Sequence, residues 1–372
     1  MAMPLRPFLL LVLFIGAAAI PVQNSQDGGE KSSQDSKFPV QTEWAKAETA
    51  RWMVHMNTWG FLTQQGKATP LHVGTHSFAD GAMGKSSGRI WFYLMGGLPE
   101  SWDASLTMSQ AALGNFSCDN TDPEDPRCAK LTVTGTIKKA VGSDVNIGKA
   151  ALFARHPQMA HWPENHHFTV YELKISHIWM IDFYGGGGDI SRWRYFLAKP
   201  NHNVPHFPPH KKTSEPEAED SKAKIIAAPP PHDQVAARAR WLVYHSVWAT
   251  VGTISVHLNG KPWGNVRSVA DGLGKNSTGL PYFYLPTPDP TTLDLRANNH
   301  IALAFSEAAL VDRIDPKTGS NCGGMDAEDP TCARLTLYGS LREVNTYSAY
   351  PKTPNCEVRD IISGREVADF QL

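Results

Sequence analysis

Two stretches repeat each other, and the repetition limits what this chain can fold into more than any other feature. Asn115 to Ile137 reads NFSCDNTDPEDPRCAKLTVTGTI, and Gly319 to Leu341 reads GSNCGGMDAEDPTCARLTLYGSL. Each copy holds two cysteines with nine residues between them, Cys118/Cys128 and Cys322/Cys332. Each has Asp-Pro before the second cysteine and then an alternating strand pattern that reaches a glycine, Gly135 or Gly339. Other landmarks keep the same order. Arg51-Trp52 and Trp59 match Arg240-Trp241 and Trp248, Ser77 to Gly81 (SFADG) matches Ser268 to Gly272 (SVADG), and Trp91-Phe92-Tyr93-Leu94 matches Tyr282-Phe283-Tyr284-Leu285. A period of about 190 to 200 residues marks a duplicated domain and not a solenoid.

A chain of 372 residues suits two domains with connectors. Its 35 Lys+Arg balance 36 Asp+Glu, and nothing in that balance points to nucleic acid or an anionic membrane, whose binding needs clustered positive charge. The 11 tryptophans and 27 prolines suit β-rich structure with many turns.

The N-terminus reads as a secretory signal over residues 1–20. Arg6 supplies the positive start, Phe8 to Ile20 is an apolar run of 13 residues, and Ala17-Ala18-Ala19 offers a cleavage site. That run is too short to span a bilayer, which takes about 20 residues. Export brings an oxidising compartment, where each cysteine pair is expected to close its own small loop, Cys118 with Cys128 and Cys322 with Cys332. Chain entropy makes each loop worth roughly 3 kcal/mol. Neither loop holds the histidine that a zinc site would add. Cys356 is left over, free or intermolecular. Asn115-Phe-Ser117 and Asn276-Ser-Thr278 are glycosylation sequons in turn-rich stretches.

Residues 21–41 are polar and read as disordered. Thr42 to Trp59 has helical spacing that Gly60 should end. Strand patterns follow at Phe61 to Gln65, Leu71 to Phe78, Ile90 to Met95, Ser105 to Leu113 and Ala129 to Ala140. Asp144 is placed to cap a helix through Ala154, and two strands are expected at His167 to Ile175 and Ile178 to Phe183. Such strands joined by short turns, with few helices, predict small barrels or sandwiches of an α+β, mainly β class. Residues 199–232 form a proline-rich linker. A second helix is expected to start near Asp233. The second repeat parallels the first through residue 345 and then departs, which predicts a barrel lacking one helix and its last two strands, with 346–372 as a divergent tail.

Together these blocks resemble the CREG (cellular repressor glycoprotein) family. The matching features are the Arg-Trp helix, S-x-A-D-G, the aromatic strand and the Cys…Asp-Pro…Cys loop, joined in the first repeat by LFARHPQMAHWPENHHF (Leu152 to Phe168) and KISHIWMIDFYGG (Lys174 to Gly186). The resemblance implies a split β-barrel like that of the FMN-binding pyridoxamine-phosphate oxidases, here twice in tandem at 42–198 and 233–345, the second truncated. It also implies a secreted or endo-lysosomal glycoprotein that binds a receptor or partner without catalysis. CREG members are generally homodimers, so the two repeats are expected to pair internally or the chain to dimerise.

The runner-up reading is an FMN-dependent oxidoreductase. It is weakened because Arg89 is the only basic residue on its strand and its counterpart is Leu280. Gly84-Lys-Ser86-Ser-Gly88 has the G-x-S-x-G pattern, but a hydrolase elbow needs a strand before it and a helix after it, and here an Asp-Gly turn precedes and a strand follows. It also resembles the end of a phosphate loop, yet Ala79 stands where the first glycine belongs. The glycine run 185–188 could bind an anion but reads as a turn. His156, His161, His166, His167 and His177 lack zincin spacing, and prolines interrupt His202, His206 and His210. No catalytic, cofactor or metal residue is therefore assigned.

Overall fold

The computed structural model describes residues 42–65, 71–114, 118, 122–184, 186–201, 225–272, 277–317, 319, 320, 322 and 326–344, and the strand backbone of 356–362. The expected signal and disordered segment, most of the linker, Asn115, Asn276 and the side chain of Cys356 lie outside these residues.

The first half begins with α1 (Glu43–Met56), capped by Thr42, whose Oγ1 accepts the Ala45 N–H. The helix ends at Met56 and not at Gly60. Gly60 is already in β1 (Trp59–Gln64), where a Cβ would lie 2.8 Å from the Thr107 carbonyl oxygen. Then come β2 (His72–Ser77), β3 (Ile90–Leu94), β4 (Ser101–Ser109), β5 (Lys130–Lys139) and α2 (Ser143–Arg155). β6 (Thr169–Ile181), β7 (Gly188–Asp189) and α3 (Arg192–Leu197) close the half. The two strands expected near residues 167–183 are one, β6, because its pairing with β5 continues across a bulge at Thr134/Gly135. The α2 N-cap is Gly142, not Asp144, whose carboxylate is instead held by Arg89.

The second half holds α4 (Val235–His245), β8 (Trp248–Ile254), β9 (Pro262–Ser268), β10 (Tyr282–Pro286), α5 (Pro290–Ala297), β11 (His300–Ser306), β12 (Arg334–Glu343) and β13 (Cys356–Ile362). Sequence reasoning misses α5, although Asp289-Pro290 is a cap followed by proline at the first helical position.

The two sheets have one topology. The first runs β2-β1-β4-β5-β6-β3 and the second β9-β8-β11-β12-β13-β10, and every named pair is antiparallel. Isolated bridges Ala79–Trp91 and Ala270–Tyr282 join the sheet ends in each half, closing a barrel. β13 pairs with β10 and β12, the place β6 takes in the first half. The tail is therefore not wholly divergent: its strand covers the edge that a barrel without it would leave open. Among the described residues the second half has no counterpart of α2 or α3. The linker also ends earlier than 232, since Ile226 is buried and bridges Ile314 of the second barrel.

Period-two alternation sets what each strand faces. On β4 and β5, Leu106, Met108, Leu131 and Val133 enter the first barrel's core, while Thr107 and Thr132 face the second half. On β11 and β12, Leu303, Phe305 and Leu335 fill the second core, while Ala302, Ala304 and Thr336 face the first half. The outward faces join in a shared apolar layer with Phe61, Val73, Trp248 and Val266. The hydrogen bonds across it are reciprocal. Thr132 Oγ1 donates to the Gly264 carbonyl at 2.7 Å, and Thr336 Oγ1 to the Val73 carbonyl at 2.7 Å.

The side chains across this layer are not reciprocal. A Cβ on Gly252 would come 2.3 Å from Val73 Cγ2, and one on Gly264 would come 2.3 Å from Thr107 Oγ1. The first half supplies the knobs and the second half the holes. We expect Gly264→Val to overpack the junction and lower stability by about 1–3 kcal/mol. Urea unfolding measures this, and a variant as stable as the parent would remove the claim of close approach.

Candidate functional site: the motif loops at the barrel junction

Each disulfide loop is folded by its own backbone before it reaches outward. The structure joins Cys118 to Cys128 and Cys322 to Cys332. Inside the loops, Cys128 N–H donates to Asp125 O and Cys332 N–H to Asp329 O, so each Asp-Pro step closes a turn at the second cysteine.

The loops then grip the opposite half. Glu124 Oε2 accepts the backbone N–H of Ser268, and Glu328 Oε2 accepts that of Ser77, both at 2.9 Å. Asp122 takes the Ser268 hydroxyl, and Asp326 Oδ1 takes the Ser77 hydroxyl at 2.5 Å. Ser77 and Ser268 are the first residues of the two S-x-A-D-G motifs. The two repeated motifs are therefore each other's partners, with the halves exchanged. The cationic partners differ. Arg267 meets Glu124 at 2.6 Å and also pairs with Asp289. On the other side His76 meets Glu328 at 2.9 Å, and His156 meets Asp326 at 2.6 Å.

Burial raises the Asp326 carboxyl, but the hydrogen bonds from His156 and Ser77 outweigh it and hold Asp326 below the usual carboxylate range. Lys130 sits beneath its own loop and donates to the carbonyls of Pro123, Glu124 and Asp125. Burial pushes this ammonium down to about 8, even though Glu124 and Asp125 favour the charge.

The S-x-A-D-G loop of the first half is built around buried Asp80. Its Oδ2 accepts the Ser86 hydroxyl at 2.5 Å and the Gly88 N–H at 3.2 Å, and its Oδ1 lies 2.7 Å from His55 Nδ1. His55 Nε2 accepts the Gly84 N–H at 3.0 Å, so the ring proton is on Nδ1 and is donated to Asp80. Arg51, also buried, donates to the carbonyls of Tyr195, Ala198 and Ser86 and to the Ser86 hydroxyl. In the second half Asp271 accepts Ser277 Oγ and Gly279 N–H, and Arg240 donates to Ser277 and Thr278. The Arg-Trp helix and the Asp-Gly loop thus recur together because one holds the other.

This geometry bears on catalysis. Ser86 donates to the Asp80 carboxylate, while both His55 ring nitrogens are engaged elsewhere, so no imidazole faces the serine hydroxyl as it would in a Ser-His relay. Arg89 is clamped by Glu172 at 2.6 Å and Asp144 at 2.9 Å and lies over the Trp91 ring. The Glu172 hydrogen bond, above all, keeps Arg89 charged. His156 is buried in the junction, His161, His166 and His167 are exposed, and His177 meets Asp189. Among the described residues no three His, Cys, Asp or Glu side chains gather as a metal site.

Sequence reasoning misses Glu124 and Glu328, although both copies share the D-x-E-D pattern that would have pointed to them. It also misses His55, Glu172 and the His156–Asp326 pair, whose partners are distant in the chain.

Lys130 gives a pH test. Its folded value of about 8 lies below the unfolded value of about 10.4, so folding expels a proton between them and stability rises with pH there. Relative to Lys130→Met, the parent should gain up to about 3 kcal/mol between pH 7.5 and 10.5. Urea titrations across that range check it, and a constant difference would mean that Lys130 stays charged beneath the loop.

A family model described as "CREG, beta-barrel" matches residues 41–197 and 230–359. Protein CREG2 of Mus musculus is 36% identical over 165 residues, which cover 41% of this chain and 57% of that protein. Protein CREG1 of Homo sapiens is 29% identical over 197 residues, covering 50% of this chain and 89% of that protein. Among solved structures, a heme binding protein from Mycobacterium smegmatis aligns with a TM-score of 0.35 at 13% identity, over 44% of this chain and 63% of that one. With both barrels matched by the family model, the chain belongs to the CREG family.

Proposed function

We propose that the protein is an exported glycoprotein of extracellular or endo-lysosomal compartments that works by binding a receptor or other protein partner, without catalysing a reaction. The observation that carries this reading is that both positions where chemistry was conceivable are saturated by structural partners. Ser86 is held between Asp80 and Arg51, and Arg89 between Glu172 and Asp144. A flavin phosphate approaching Arg89 would meet those two carboxylates, which disfavours the oxidoreductase reading. Export is supported by the N-terminal signal pattern, the two sequons and two disulfide loops of a kind that persists in oxidising compartments. Among the described residues no helix is long and apolar enough to cross a membrane.

The outer face of β10 supports a binding role. In the first half the equivalent Tyr93 is covered by Phe153, Trp162 and Phe168. In the second half Tyr284 is 61% exposed.

The test is expression of the full chain in a secreting cell line. We expect it in the medium, shortened on gels by enzymatic N-deglycosylation, with Asn115→Gln and Asn276→Gln each removing one step. We expect the purified protein to be colourless, with thermal stability unchanged by FMN. A cytosolic, unglycosylated product overturns export, and a yellow protein that releases flavin on denaturation overturns the non-catalytic reading.

A further inference from the structure

Beside the Gly84–Gly88 loop lies a cavity of about 390 Å³, bounded by the loop, by α1 and by the chain leaving α3. Among the described residues its charges do not balance. Arg51, Lys85 and Lys199 line it, and Arg155 stands behind it with Nη1 on the His55 carbonyl. Asp80 supplies one negative charge, and its oxygens are taken by Ser86, Gly88 and His55. Glu48, one turn before Arg51 on α1, turns its carboxylate to the Trp44 indole at 3.0 Å. His55, on the cavity wall, is engaged at both ring nitrogens.

Arg51 is the informative group. It is 4% exposed, its Nε has no hydrogen-bond partner, and its other nitrogens are met by carbonyls and a hydroxyl, with no carboxylate. A buried guanidinium satisfied only by neutral dipoles keeps its full charge in a medium of low dielectric, which favours an anion nearby. Among the described residues, neither Lys85 nor Lys199 has an ion pair, so both ammonium groups are free to turn inward. Among the described residues no phenyl, phenol or indole ring lines the cavity, and its one imidazole, His55, is engaged at both nitrogens. Its volume exceeds that of a bare oxyanion and suits one carrying a small polar body.

The second half has no such site among its described residues. Arg240 is exposed, and Tyr244 stands where α1 carries His55. The matching loop carries the Asn276 sequon instead.

We propose that this cavity binds a small tetrahedral oxyanion ester, a phosphorylated or sulfated molecule of sugar size, held by Arg51, Lys85 and Lys199. This goes beyond the partner-binding reading and does not depend on it. The oxyanion would take charge-assisted hydrogen bonds from the two lysines in front of the fixed Arg51 charge. The GKSSG stretch would thus serve an anion through lysine and arginine side chains and not through a phosphate-loop backbone, whose amides at Gly84 and Gly88 are already spent on His55 and Asp80.

The experiment titrates the full chain calorimetrically with glucose 6-phosphate, glucose 6-sulfate and glucose at constant ionic strength, which separates site binding from screening. Saturable binding of either ester, with glucose much weaker, is expected, and the tighter ester identifies the source of the oxyanion. The double variant Lys85→Ala/Lys199→Ala removes two exposed side chains, so its unliganded thermal midpoint should match the parent's. Its affinity for the ester should fall by about tenfold or more. Equal affinity in parent and variant, glucose binding as tightly as its esters, or no saturable binding by ~10 mM would each overturn the proposal.

Discussion

The structure depends on a pair of carboxylates that each bind a strand end in the other half. Glu124 and Glu328 accept the backbone N–H groups of Ser268 and Ser77. These serines end β9 and β2, which are terminal strands in their sheets. A terminal strand presents unpaired groups that a lone barrel must hide. Here each half hides the other's strand, and the buried Asp326, which accepts the Glu328 N–H from its own loop, is further compensated by Ser77 and His156 of the opposite half. Separating the halves would take from that carboxylate its imidazole and hydroxyl partners, and from Thr132 and Thr336 their cross-junction carbonyls, and stripping a buried charge of its partner costs several kcal/mol. The disulfides then have a mechanical role, since a loop reaching across a junction has to be ordered before it can grip.

Duplication gave a symmetric grip, and divergence has made it unequal. Arg267 holds one carboxylate cluster, while His76 and His156 hold the other. An arginine stays charged at any physiological pH and offers a rigid planar fork, whereas the compact imidazole of His156 bridges Asp326 and the Phe78 carbonyl through its two ring nitrogens. The apolar layer shows the same division. Gly252 and Gly264 in one half receive Val73 and Thr107 from the other. Two identical subunits could not evolve such complementarity independently on each side. A fused chain can, because each half then meets only the other half.

The duplication, the two covalent loops, the places of the first five strands along the chain and the α1 and α2 helices are legible in the sequence, because local periodicity and spacing encode them. Glu124 is harder to read. Its partner lies 144 residues away and its role is set by which barrel faces which, so its carboxylate looks like any solvated loop charge. Asp144 misleads for a related reason: a carboxylate at a helix start suggests a cap, yet Arg89 offers a charge and draws the side chain away from the helix. The single β6 is hidden by its bulge, which breaks the alternation at Ser176 and so imitates a turn. β13 escapes because Cys356 to Ile362 shares no residues with the first half's motifs, and a strand that completes a sheet needs hydrogen-bonding backbone more than a particular side chain.

The division between repeated and unrepeated residues also says where function should be sought. The residues common to both halves are consumed by architecture: the cysteines, the D-x-E-D carboxylates, and the S-x-A-D-G serine and aspartate. Each finds its partner within the loop it folds or across the junction it closes. Their recurrence is thus explained by the fold. The first half's particular residues are not consumed in this way. Lys199 belongs to a stretch the second half does not repeat, and the guanidinium of Arg51 is buried where Arg240 lies in water. Selection on the fold alone would not bury a charge in one copy and leave it solvated in the other, since burial carries a desolvation cost that exposure avoids. The first barrel is the half in which that cost is retained.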